Sequence, residues 1–276
     1  MAHDLPRPNR RRRVAVDVTQ RDADDVLLSV DGLGRRFGEI EAVKDVSFEV
    51  PRGCVYGLVG PNGAGKSTVL EMIAGSQGCS SGRIVFEHRD VTKVPAYVRA
   101  RQGIGRTFQI SKEFARLTVL ENLLVASPHI PCDGFVQVFS RRRASWRGAE
   151  ERAIDRALGL LRRFSIEGKA DDLAGQLSGG QKRILEILRA VMREPKLILL
   201  DEPLAGLHPR IADEVCVYLG ELRSEGIGML MVEHELDRVE ALCDSVVVMA
   251  QGGVIYRGAM VDARQERKVI DAYVAG

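Results

Sequence analysis

Gly60-Pro61-Asn62-Gly63-Ala64-Gly65-Lys66-Ser67-Thr68 is the stretch whose reading decides the fold. Before it, Cys54-Val55-Tyr56-Gly57-Leu58-Val59 is a short apolar run with the pattern of a buried strand. After it, Thr68-Val69-Leu70-Glu71-Met72-Ile73-Ala74 has helical spacing and stops at Gly75. Between a strand and a helix, the pattern G-x-x-x-x-G-K-[ST] is a phosphate-binding loop. Its glycines let backbone N–H groups turn toward an anion, and the helix start adds unpaired donors and a partial positive charge. Lys66 can then reach β- and γ-phosphates, and the Ser67 hydroxyl can ligate Mg²⁺. A plain glycine-rich turn before a helix is the competing reading. The full nine-residue pattern in this context outweighs it.

Two later strands read as suppliers of chemistry to the same edge. Lys196-Leu197-Ile198-Leu199-Leu200-Asp201-Glu202-Pro203 is apolar on both faces, as a central parallel strand is, and ends in two acids. The carboxyl end of such a strand is where open α/β sheets bind ligands. Asp201 there can hold Mg²⁺, and Glu202 can polarise an attacking water; the alternative is a pair of exposed loop acids. Gly228-Met229-Leu230-Met231-Val232 repeats the design and ends in Glu233-His234. His234 is either a γ-phosphate contact or a structural one. Leu177-Ser178-Gly179-Gly180-Gln181 opens an amphipathic helix stopped by Pro195, and its head is a second candidate anion cradle.

The flanking segments are less specific. Met1 to about Asp25 carries Arg7 and Arg10 to Arg13, then Asp22, Asp24 and Asp25, and reads as a solvated tail or as a contact for anionic lipid or nucleic acid. Val26–Val30 and Ala42–Val50 read as strands. Phe37 between them is either an adenine-stacking aromatic or a hairpin core contact. Gln109 ends a short strand and says nothing alone. From about Lys112 to Gln176 the pattern turns helical, with helices around Val119–Val125 and Ala153–Leu161 and a basic run at Arg141, Arg142, Arg143 and Arg147 around Trp146. Ser245–Ala250 and Val254–Arg257 read as a hairpin, and Lys268–Val274 as a short helix.

Composition bounds the class. With 276 residues, 45% hydrophobic and 28% charged, the chain has material for one large or two small soluble domains. A net charge of +2 argues against a nucleic-acid-coating protein. The five scattered cysteines include no C-x-x-C, which suits a reducing compartment. No apolar run reaches membrane-span length, and the N-terminus lacks a secretory core, so membrane association is expected through a partner.

Taken together, these motifs resemble the nucleotide-binding subunit of an ATP-binding-cassette transporter, over Val26 to the C-terminus. The matches are the phosphate loop, a glutamine loop at Gln109, LSGGQ at Leu177–Gln181, LILLDEP at Leu197–Pro203 and a switch histidine at His234, in family order. The resemblance implies an α/β phosphate-loop NTPase core with a mostly parallel sheet, an N-terminal antiparallel β subdomain and an inserted helical subdomain at about 112–176. It implies ATP and Mg²⁺ as cofactors, with Glu202, His234, Lys66 and Gln109 catalytic and Ser67, Gln109 and Asp201 at the metal. ATP would contact Gly60 to Thr68 and Phe37, and Ser178, Gly179, Gly180 and Gln181 would act in trans, from a second nucleotide-binding subunit, identical or not.

GIGRTFQ, LTVLENLL, Pro128–Arg147, AGLHP and the ending VIDAYVAG are similar to branched-chain amino-acid importer ATPases, and several are shared with urea-importer and lipopolysaccharide-export ATPases. Integral permease subunits, a solute-binding protein and a place on the cytoplasmic face of the inner membrane are the implied setting. No regulatory domain is expected after the core. A non-transporting clamp on nucleic acid is the rival reading; it usually needs two cassettes or a long coiled coil. Two departures stand out: His208 replaces the family's usual Asp or Asn, and the basic tail has no counterpart in the family core.

Overall fold

The computed structural model describes residues 25–107, 113–128 and 143–274. The basic tail, Gln109, most of Pro128–Arg147 and the side chains of Arg143, Trp146 and Arg147 lie outside the described residues.

The chain opens with a long hairpin, β1 (Val26–Phe37) and β2 (Ile40–Pro51), followed by β3 (Val55–Val59) and α1 (Lys66–Ala74). Next come β4 (Ser81–Phe86), β5 (Arg89–Asp90), α2 (Ala96–Gln102) and β6 (Ile104–Arg106). α3 (Val119–Ala126) and α4 (Arg143–Arg163) precede two short 3-10 turns and α5 (Gly179–Met192). The remainder alternates: β7 (Leu197–Asp201), α6 (Pro209–Ser224), β8 (Gly228–Val232), α7 (Leu236–Leu242), β9 (Ser245–Ala250) and β10 (Gly253–Gly258), then α8 (Met260–Ala263) and α9 (Arg267–Val274). β1 and β2 outrun the expected Val26–Val30 and Ala42–Val50. Their pairing shifts register between Val30 and Leu33 and on to Arg36, so bulges carry the ladder past residues that break the alternation.

Two sheets form. The antiparallel one has the order β2-β1-β4-β5; the larger has the order β10-β9-β3-β8-β7-β6. In the larger sheet all neighbours are parallel except β10 and β9. Every residue of β3, β7 and β8 is buried, because layers cover both faces. Successive side chains alternate between those layers. Val59, Ile198, Leu200, Met229 and Met231 pack with Leu185 and Leu188 of α5, Val215 and Leu219 of α6, and Leu123 and Leu161 of the helical segment. Leu58, Leu197, Leu199, Leu230 and Val232 pack with Leu70 and Ile73 of α1 and with Leu28, Val30 and Ile84 of the antiparallel sheet. Each fully buried Leu or Ile contributes about 1.5–3 kcal/mol. Since β3, β7 and β8 run parallel, Val59, Asp201 and Val232 end on one edge. That edge carries the site.

Candidate nucleotide site

The phosphate loop leaves β3 at Gly60 and enters α1 through Gly65, a left-handed N-cap (φ 98°) with no capping side chain. The first-turn N–H groups of α1 are therefore left for an anion. Glycine is required at both ends of the loop. A Cβ on Gly60 (φ 145°) would stand 2.1 Å from the Met249 carbonyl oxygen, and one on Gly65 would stand 2.5 Å from that of Ala42. Lys66 is buried, and its Nζ donates to the carbonyls of Gly60 (2.8 Å) and Pro61 (2.9 Å). Burial pushes its pKa down, against the opposing pull of Glu202 and Asp201. Phosphate oxygens are charged acceptors and hold an ammonium more strongly than these carbonyls do.

An open cleft of about 250 Å³ runs from Asn62 through Thr68 to Ala42, Glu202 and His234. Glu202 and His234 thus face the loop from the ends of two different strands, and their Oε1 and Nε2 are 2.7 Å apart. Glu202 sits in the left-handed region (φ 49°), with its N–H bonded to the Val232 carbonyl of β8 at 2.9 Å. For a residue with a Cβ that conformation costs about 1–2 kcal/mol, so the surroundings must enforce it.

Arg183 of α5 supplies that enforcement, and its side chain is buried. Its guanidinium donates to the carbonyls of Asp201, Glu202 and Pro203, and its Nη1 pairs with Glu186 at 2.8 Å. Asp201 is 2% exposed; burial raises its pKa, opposed by Arg106. Its N–H donates to Thr107 Oγ1 (3.2 Å), and Arg106 Nη2 lies 3.6 Å from its Oδ2. Buried Glu233 accepts from the N–H of Leu204 (2.9 Å) and of His234 (3.3 Å), which ties the loop after β7 to that after β8. Burial raises its pKa as well. The Tyr273 phenol of α9 shares a hydrogen bond with the Gly60 backbone. Arg183, Arg106, Glu233 and Tyr273 are not among the site residues that the sequence alone singles out.

Other expected site residues stand apart from this cleft. Ser178 caps α5 in a capping box with Gln181, through bonds of 3.0 and 3.4 Å. Neither they nor Gly179 and Gly180 line the cleft of their own chain. Phe37 is 45% exposed, so it makes no hairpin core contact, and the Arg35 guanidinium lies 4.7 Å over its ring. Gln109 lies outside the described residues. His208 is the N-cap of α6, with Nδ1 accepting from the Arg210 N–H at 3.4 Å. It fills the helix-start role that Asp or Asn commonly takes.

The residues present fit a hydrated Mg²⁺. Such an ion uses one or two protein oxygens and completes its shell with water and phosphate. Asp201 Oδ1 is buried and has no hydrogen-bond partner in the structure, and Ser67 lines the cleft beside Glu202, the residue that follows Asp201.

A family model described as ABC transporter matches residues 43–205. The chain is similar to the probable branched-chain amino acid transport ATP-binding protein LivG of Archaeoglobus fulgidus, at 34% identity over 90% of this chain and 95% of the relative. It is similar to the high-affinity branched-chain amino acid transport ATP-binding protein BraF of Pseudomonas aeruginosa, at 35% identity over 90% and 97%. Among solved structures, a nucleotide-free ATP-binding cassette from an ABC transporter superposes with a TM-score of 0.77 at 34% identity, covering 90% of this chain and 98% of the other. The ADP conformation of such a cassette gives the same TM-score and identity over 91% and 99%. With its phosphate loop, acid pair and histidine on one edge, the chain belongs to the ABC transporter family and is one of its ATP-binding subunits.

Proposed function

We propose that the protein hydrolyses ATP at this cleft to drive the import of branched-chain amino acids through separate permease subunits. The observation that carries the proposal is the Glu202–His234 pair, 2.7 Å apart and facing the phosphate loop. Lys66 and the free N–H groups of α1 hold the β- and γ-phosphates. The Glu202 carboxylate orients a water for in-line attack, and His234 steadies Glu202 and the γ-phosphate side of the cleft. Mg²⁺, when bound, supplies neutralisation of phosphate charge, with Ser67, Asp201 and Gln109 as the residues to hold it.

Residues 26–276 act as one nucleotide-binding unit, with about 112–176 as its helical part. Exposed Ser178 and half-buried Gly180 serve the cleft of a second copy or a paired subunit, and Phe37 stacks on adenine. Between α1, α2 and β6 on one side and α3 and α5 on the other lies a groove of about 340 Å³, lined by Ser76, Ala100, Arg106, Phe114, Val125 and Arg189. A permease segment docks there and holds the subunit at the inner face of the membrane, with a solute-binding protein delivering cargo from the opposite side. Among the described residues no helix is long and apolar enough to cross a membrane.

The test is ATP hydrolysis by the protein reconstituted with its permease and solute-binding protein. Leucine, isoleucine or valine should stimulate the rate several-fold. Stimulation by urea or another solute class, with no response to these three, would overturn the cargo assignment.

A further inference from the structure

A second cavity opens at the opposite end of the strands from the nucleotide cleft. β6 and β7 run parallel, and Gly103 and Lys196, just before them, both line it. Its volume is about 580 Å³, against about 250 Å³ for the cleft at the phosphate loop. Arg52, Arg89, Arg101, Arg193 and Lys196 bring five permanent cations to its wall, from around the ends of β2, α2 and α5 and the starts of β5 and β7. Two carboxylates answer them, and both are committed. Glu87 accepts from Arg52 (2.8 Å) and Lys196 (2.5 Å), and Glu194 accepts from Arg156 of α4 (2.6 Å). Among the described residues no carboxylate pairs with Arg89, Arg101 or Arg193. Arg101 lies over the Tyr97 ring at 6.0 Å, and Arg193 Nε is buried without a hydrogen-bond partner. The wall thus keeps a surplus of three positive charges. The backbone around it is strained as well. Glu87 (φ 47°), His88 (φ 62°) and Glu194 (φ 54°) are left-handed and all line the cavity, as Glu202 is left-handed at the nucleotide cleft. Residues with a Cβ adopt that conformation at a cost, and such strain gathers at ligand sites. Scattered surface arginines are solvated one by one. These share one concavity of a size that takes a small molecule.

We infer that this cavity is a second anion site, for a phosphate group that carries two or more negative charges, on a free small molecule or on a lipid headgroup. Guanidinium groups match phosphate oxygens in pairs, which an ammonium cannot do. The anion supplies the partners that Arg89, Arg101 and Arg193 lack. Arg52 and Lys196, tethered by Glu87, add positive potential without moving. An anion held this way ties the ends of α2 and α5 to the antiparallel sheet.

The test uses the full-length protein loaded with ADP, so that the phosphate loop is taken. Calorimetry with inorganic pyrophosphate at low salt should show a single further site with a Kd of about 0.1 mM or tighter. Arg101→Gln and Arg193→Gln should each weaken it about tenfold, on the scale of one charge-assisted hydrogen bond. Both variants should bind ADP within about twofold of wild type, which shows that the fold and the nucleotide cleft are intact. Co-sedimentation with phosphatidylcholine vesicles, with and without phosphatidic acid, separates the two sources. Pyrophosphate binding that the variants weaken identifies a free phosphate compound. Binding to phosphatidic acid vesicles alone, lost in the same variants, identifies a headgroup. Binding of neither probe, or binding undiminished in the variants, overturns the inference. Should Arg193→Gln fail to fold, Arg89→Gln with Arg101→Gln decides, since both side chains are exposed; undiminished binding in that double variant overturns it.

Discussion

Replacing Arg183 by Met should show how far the hydrolytic edge depends on one buried cation. The substitution removes the 2.8 Å partner of the Glu186 carboxylate and the donors to three backbone carbonyls, those of Asp201, Glu202 and Pro203. Breaking a buried pair from one side costs about 3–5 kcal/mol. Hydrogen bonds to a charged group are worth about 1.5–3 kcal/mol each, though these overlap with the pair itself. Methionine refills most of the volume, which leaves a net loss of about 4 kcal/mol. Removing both charges in Arg183→Met with Glu186→Leu should recover more than half of that, because an apolar replacement of a buried pair is often neutral. Glu202 would also lose part of what holds it at φ 49°, so kcat should fall about tenfold. The assay is equilibrium unfolding in guanidinium chloride followed by circular dichroism, with ATP hydrolysis measured in parallel. A single variant within about 1 kcal/mol of wild type, or a double variant as unstable as the single, would refute the reasoning.

Two further outcomes follow from the same geometry. Lys66→Ala should weaken ATP binding at least about a hundredfold, from the loss of charge-assisted bonds to phosphate, and calorimetry that returned wild-type affinity would contradict the phosphate-loop assignment. Asp90 is held at a pKa of about 2 by hydrogen bonds from the Thr92 side chain and backbone, with Arg83 adding to them. A depressed carboxylate stabilises the fold above its unfolded pKa and loses that effect as pH falls. The stability gap between wild type and Asp90→Asn should therefore be full at pH 6 and close between about pH 4 and pH 2, read from urea midpoints across that range.

The site was legible in the sequence where its chemistry is local. A strand, a glycine-rich turn and a helix start lie within one short stretch around Lys66, and the acid pair follows its own apolar strand directly. The parallel sheet then brings Asp201, Glu202 and His234 to one edge with no further information needed. What escaped notice acts through tertiary contacts. Arg183 reads as one more polar residue on an amphipathic helix, and its partners are backbone carbonyls that no side-chain pattern advertises. Arg106 sits in a three-residue strand too short for any periodicity. Glu233 stands beside His234 with no pattern of its own to mark it, yet it ties together the loops after β7 and β8. β1 and β2 extend beyond their sequence pattern because bulges hide the alternation on which strand recognition rests. His208 was noticed as a departure, and the structure gives it a physical role at the start of α6.

The central claim is that Glu202 orients the attacking water while the phosphate loop holds ATP. The direct measurement is steady-state ATP hydrolysis by Glu202→Gln beside its ATP affinity, at protein concentrations high enough to favour pairing of subunits. The variant keeps the size of the side chain and a hydrogen-bond partner for His234, so ATP should bind within about threefold of wild type, while kcat falls by about 10²–10³. A Glu202→Gln protein that turns over ATP at the wild-type rate would contradict the claim.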